Sequence, residues 1–250
     1  MVTAGTSIRN QARVAGNLPG RRYDRVFFSG MALLILATVF FGFARTYYLA
    51  GIFRAPLASF VVHLHGAAFS CWILLLIVQT SLIAARRVDI HRRLGIAGFT
   101  LACLMVVLGV WVNNRALTRG GGPPDAGGAA IYFLGFSLLL IFAVLVAFAF
   151  HSRSNPAVHK RLILVATVAL LLAAVVRLPI AFVHDIQKAT WLSYTFLLSL
   201  LIYDLWSTHK IQRATIAAGT FLIATEQLVI AVGPTLKAQS LARWMYDILR

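Results

Sequence analysis

The stretch IYFLGFSLLLIFAVLVAFAF, residues 131–150, runs for 20 residues without a charge. As a helix rising about 1.5 Å per residue it reaches roughly 30 Å, the thickness of a bilayer's hydrocarbon core. Six more apolar runs of comparable length flank it, at 26–49, 58–84 and 94–113 before it and 162–183, 190–207 and 213–233 after it. Apolar residues make up 60% of the 250 and charged ones 12%, against about 25% charged in an ordinary soluble domain. A soluble chain of this size has no interior large enough for that much apolar surface. Lipid is therefore its solvent, and the expected fold is an all-α polytopic membrane helical bundle of about seven transmembrane helices.

The breaks between runs are short and polar, so no second domain is expected. The reading is a basic flexible tail over 1–25, a transmembrane domain over 26–233 and an amphipathic external segment over 234–250. The stretch Gly120–Gly128, rich in glycine and proline, reads as a flexible external loop. The net charge of +16 does not gather on one patch, as nucleic-acid binding would require. It is spread in clusters between the runs, where it sets orientation. An inside N-terminus places 14 of the 23 Lys and Arg residues in the cytoplasm, 8 outside, and Arg177 within a helix. The imbalance predicts N-in, C-out in a cytoplasmic membrane. The first residues lack the apolar core of a signal peptide. Cys71 and Cys103 lie inside apolar runs and read as small buried residues.

Ionisable residues inside hydrocarbon are functional candidates. By helix rise, His65, Arg177 and Glu226 each lie about seven residues from the outer end of their helices, at one depth. They form either a site for a polar or anionic ligand or, for Arg177 and Glu226, an ion pair that fixes packing. His65, Trp72 and Gln79 recur every seven residues and share a stripe of the second helix. Arg177 and His184 have the same spacing on the fifth. Glu226 shares its stripe with Gly219 and Gly233, which would permit close helix approach. His63 points away from His65.

A second polar layer, at the cytoplasmic boundary, holds His91, His159 and Asp204. The segments His91-Arg92-Arg93-Leu94 and His159-Lys160-Arg161-Leu162 open the third and fifth helices alike, a weak echo of two related hairpins. Headgroup contacts account for that layer, with basic chains snorkelling. Two histidines from different helices can also hold haem b. His91 with His159, or His63 or His65 with His184, are the candidate pairs. A quinone-like ligand is the other cofactor expected of these helices, and no metal beyond haem iron is. No phosphate-binding or dinucleotide-binding fingerprint is present.

With H-x-H-G at His63–Gly66, then Trp72, Gln79 and His91-Arg92-Arg93-Leu94-Gly95, the chain resembles an uncharacterised family of bacterial multi-pass membrane proteins. Asn155-Pro156 followed by His159-Lys160-Arg161-Leu162 is similar to that family's second motif. More distantly, the H-R-x-L-G openings resemble those of ferric-reductase-like and b561-type membrane cytochromes, which implies haem ligation by His91 and His159. The expectation is a bacterial inner-membrane redox or accessory protein. Its rivals are a binding or transport protein with an outer cavity of His65, Arg177 and Glu226, and a structural subunit. Expected partners are the bilayer and either other membrane subunits or further copies of the chain.

Overall fold

A computed structural model describes residues 19–56, 58–119 and 122–249. Eight α-helices follow one another: α1 Pro19–Phe43, α2 Phe60–Ala84, α3 Val88–Thr118, α4 Ala126–His151, α5 Pro156–Val175, α6 Ile186–Thr208, α7 Arg213–Val232 and α8 Leu236–Leu249. A π-turn, Ala44–Tyr48, prolongs α1, and a 3-10 turn, Ala181–His184, precedes α6. No strand occurs among the described residues.

Short connections reverse the chain at each step, and side-chain contacts verify the alternation at both ends. Where α1, α3 and α5 begin, Asp24 meets Lys160, and the His91 and His159 rings face each other. These helix starts make up the N-terminal face. At the far face, where α4 begins, Asn113 of α3 donates to the Tyr132 carbonyl (3.0 Å).

Six helices, α1 to α5 and α7, are long and apolar enough to cross a bilayer. The chain is thus a multi-pass membrane protein. The count corrects the expected seven, because α6 falls short in apolarity. Its 23 residues include Lys188, Tyr194, Tyr203, Asp204 and several Ser and Thr. Yet α6 runs the full depth of the bundle. Gln187 near its start bonds Gln227 near the end of α7, and Asp204 near its end bonds Arg161 near the start of α5. Its polar side chains Thr190, Ser193 and Asp204 turn inward and are buried. Trp191, Leu198 and Ile202 turn outward. The inward polar face explains the lower hydropathy of α6.

The hub is α5. It packs against α1, α4, α6 and α7, and it alone among the six apolar helices exposes no large hydrophobic side chain. The others present Leu33, Leu74, Val107, Phe148 and Ile223 outward, as lipid-facing helices do. At mid-depth Trp72 of α2 is buried edge-on against Phe142 of α4. Its indole N–H donates to the Thr167 hydroxyl of α5 (3.2 Å), which pins three helices. At the far end of α5, Gly42 of α1 presses on the Ala174 main chain, where a side chain would collide with the carbonyl.

Several expectations change. Helix α1 starts at Pro19, inside the stretch read as a tail; residues 1–18 lie outside the described residues. Helix α4 takes in Ala126 to Gly128, so the glycine-rich loop is shorter than expected; Asp125 caps that start by accepting from the Gly128 N–H (2.7 Å). Cys71 and Cys103 are exposed on the bundle's outside, not buried. Helix α5 ends at Val175, well before the apolar run does. Pro179 supplies no N–H for another helical bond and disfavours helical backbone at Leu178. The segment after Pro234 is helical, with Ala242 and Tyr246 turned to the bundle and Leu241, Trp244 and Ile248 outward.

Candidate functional site

The first turn of α5 organises the N-terminal face. Asn155 caps it, its side-chain oxygen accepting from the Ala157 and Val158 N–H groups, and Pro156 occupies the first helical position. That is a sharp start. Consecutive side chains then diverge by about 100°, so His159, Lys160 and Arg161 fan toward three different neighbours.

Arg161 turns inward, 2% exposed. Its Nε and an Nη donate to Asp204 Oδ1 at 2.9 and 2.5 Å, and its other Nη donates to the Ala157 carbonyl (2.7 Å). Asp204, 0% exposed, accepts at Oδ2 from the Thr215 hydroxyl (2.5 Å) and the Gln212 N–H (3.2 Å). One carboxylate thus ties α5, α6 and α7 together with four charge-assisted bonds. Arg161 is therefore no headgroup anchor, and Asp204, which the sequence also offers as a ligand-binding residue, spends its polar atoms on the protein. Lys160 donates to Asp24 of α1 (2.5 Å), and so does the Tyr203 hydroxyl (2.5 Å). A cleft of 210 Å³ opens beside them, lined by Asp24, Lys160, Arg161, Tyr203, Ser207 and Gln212 among others. It is smaller than the roughly 300–1,000 Å³ of ordinary small-molecule sites.

His159 points the third way. Its Nδ1 donates to the Ala149 carbonyl of α4 (2.9 Å), which leaves Nε2 as the free ring nitrogen. The His91 ring of α3 stands 6.4 Å away, centroid to centroid, with its plane at 89°. Each histidine is the fourth residue of its helix, counting from Val88 and Pro156. Gln79 of α2 reaches the same place, its amide donating to the His91 carbonyl (3.3 Å). Two polar atoms here are buried without a partner, His91 Nδ1 and Gln79 Oε1. Buried polar atoms are ordinarily satisfied, so an orphaned pair beside two facing imidazoles marks the best candidate for ligand binding.

The far half is different. His65, Arg177 and Glu226, which counting along the helices puts at one depth, are joined by no hydrogen bond or ion pair. His65 packs on Phe69 with its Nδ1 unpartnered. Arg177 lies past the end of α5, donates to the Ala173 carbonyl and stacks over Phe43 of α1, 5.1 Å from the ring centre. The expected ion pair between Arg177 and Glu226 is absent. Glu226 is instead buried beside Tyr194 of α6, with Oε2 unpartnered. The Arg177–His184 stripe dissolves with the end of the helix, and His184 is exposed on the 3-10 turn. His63 is exposed beside Tyr47, their rings 5.7 Å apart. Gly233 does meet Ala130 of α4 closely, whereas Gly219 faces open space. Trp72, which the His65–Gln79 stripe offers as a ligand contact, packs on Phe142 and donates to Thr167.

Sequence reasoning missed Asp24, Lys160, Arg161 and Tyr203 as a network. A signal existed: with 7 acidic residues against 23 basic ones, an aspartate in the basic stretch before the first run has many suitors. The chain matches no protein family, no curated protein and no solved structure in the comparisons made.

Proposed function

We propose that this multi-pass protein holds a redox cofactor, haem b, between the turns that open α3 and α5. The single observation that carries the reading is the facing pair of imidazoles, His91 and His159. The rings come from different helices and stand 6.4 Å apart, centroid to centroid, so both would be available to hold one haem iron. His159 also has the arrangement expected of a ligand, with one nitrogen anchored to a carbonyl and the other free. Among the described residues no three potential metal ligands gather. Two imidazoles suffice for a porphyrin iron, whose ring supplies the remaining bonds.

Haem would supply one-electron chemistry at this face. The chain's own residues would do three things. His91 and His159 would bind. The Ala149 carbonyl would orient the His159 ring. The Arg161–Asp204 and Lys160–Asp24 pairs would hold the α5 turn against α1, α6 and α7. Gln79 keeps α2 against the start of α3.

A quinone-like ligand is the second reading. It is favoured by the orphaned His91 Nδ1, which can donate to a ring carbonyl, and the orphaned Gln79 Oε1, which can accept from the hydroxyl of the reduced ring. With either reading goes the bacterial inner-membrane location, its N-terminal face inside, that the spread of Lys and Arg supports.

The test is the optical spectrum of the protein purified after expression with haem supply. A Soret band is expected, lost in His91→Ala and in His159→Ala and kept in His184→Ala. A colourless wild type overturns the haem reading. Quinone binding that is then lost in His91→Ala would establish the second.

A further inference from the structure

The far half of the bundle contains a buried acid that the proposed cofactor site does not use. Glu226 lies six residues before the end of α7 and is 1% exposed. The Tyr194 hydroxyl of α6 lies beside its carboxyl. Tyr194 in turn accepts from the Gln227 amide (3.2 Å), and Gln227 Oε1 accepts from the Gln187 amide (3.1 Å). Gln187 is the second residue of α6, half-buried at the far face. A polar seam therefore leads from that face, between α6 and α7, to a carboxyl oxygen with no partner.

No cation reaches this carboxyl. Helix α7 packs on α4, α5 and α6. From α6 the titratable group facing Glu226 is Tyr194. The stretch of α5 at that depth, residues 168–175, is wholly apolar. On α4 the polar groups of the far half are Tyr132, whose hydroxyl is bonded to Asn114 (3.0 Å), and Ser137, which is bonded to the Leu134 carbonyl (2.8 Å). Arg177, which follows the end of α5, is engaged over Phe43 on the α1 side. An ionised carboxylate buried in a bilayer without a cation or a set of donors is strongly disfavoured. A neutral acid is not.

We propose that Glu226 is a proton-binding site, a neutral carboxylic acid at rest that exchanges its proton with the far face along the Tyr194–Gln227–Gln187 seam. On release, the O–H bond at Glu226 breaks and the proton leaves to water entering the seam. The Tyr194 hydroxyl then donates to the carboxylate that remains. On uptake the same bond re-forms. The residues admit a proton and not an anion, because the seam ends on an acid and carries no positive charge.

Infrared spectroscopy of the full chain in phosphatidylcholine vesicles tests this directly. At neutral pH a carboxylic-acid carbonyl band is expected, missing from Glu226→Gln. The band shifts in D2O and gives way to carboxylate bands at alkaline pH, and the D2O shift is slowed in Gln187→Leu and Tyr194→Phe. A wild type at neutral pH without a carboxylic-acid carbonyl band that Glu226→Gln removes would overturn the proposal, since the group would then be ionised. A band that never shifts in D2O would overturn it too, as a sealed packing acid, and an unslowed shift in both seam variants would overturn the route. Should Glu226→Gln fail to fold, dicyclohexylcarbodiimide on wild-type vesicles decides, because it couples to protonated intramembrane carboxyls. A tagged peptide containing Glu226 supports the site, and an untagged one sinks it.

Discussion

Arg161 and Arg177 sit at opposite ends of the same helix and have opposite fates. Arg161 is sealed in the first turn of α5, where α1, α6 and α7 converge, and it donates three hydrogen bonds. Arg177 comes two residues after α5 has ended, finds no carboxylate, and rests exposed on the face of Phe43. By residue type and distance from an apolar run, Arg177 looked the more buried of the two. Placement around the axis, and not depth, decides which charge acquires a partner. Asp204 lies on the inward side of α6, and Arg161 points at it. Glu226 faces Tyr194, and Arg177 points at α1.

The contrast can be broken most forcefully at Arg161. Arg161→Met or Asp204→Leu alone strands a buried charge and should cost about 3–5 kcal/mol, while the double variant should recover most of that loss. Denaturant midpoints in detergent micelles provide the measurement. A single variant as mild as a surface change would erase the distinction drawn here. Next in size is Gly42→Ala, which drives a methyl group into the Ala174 main chain at the far end of α5. About 1–3 kcal/mol of destabilisation is expected from such overpacking, again as a shifted midpoint. If Gly42→Ala proves neutral, the far end of α5 is looser than the near end, which would sharpen the contrast. The smallest effect belongs to Arg177→Gln. Losing a cation–π contact at an exposed site should cost about 0.5–1 kcal/mol, and a larger drop would mean that Arg177 has a partner of its own.

Much of the helical plan was legible in the sequence, because apolar runs of membrane length are a one-dimensional signal. So was the likeness of the turns at His91 and His159, which occupy the same position in their helices. The end of α5 was legible too, in Pro179, but the apolar run to residue 183 hid it. What was not legible is azimuth. Depth can be counted along one helix, but whether His65, Arg177 and Glu226 meet depends on which helices are neighbours and how each is rotated. Lys160 and Arg161 illustrate the same limit. In a count of basic residues they are two orientation charges, whereas in the bundle each neutralises a different aspartate. The low hydropathy of α6 misleads until its polar residues are seen to face inward.

The bond between Asp24 and α5 also has a meaning in time. Asp24 is held by Lys160, 136 positions later, and by Tyr203, 179 positions later. At about 5–20 residues per second of synthesis, Asp24 waits roughly 7–27 s before its earlier partner has even been made. Helices α1 to α4 therefore enter the membrane as a provisional group with an unanswered carboxylate. The arrival of α5 brings the first of that acid's two partners. A nascent chain stalled before Lys160 would carry that acid as a mark of incompleteness.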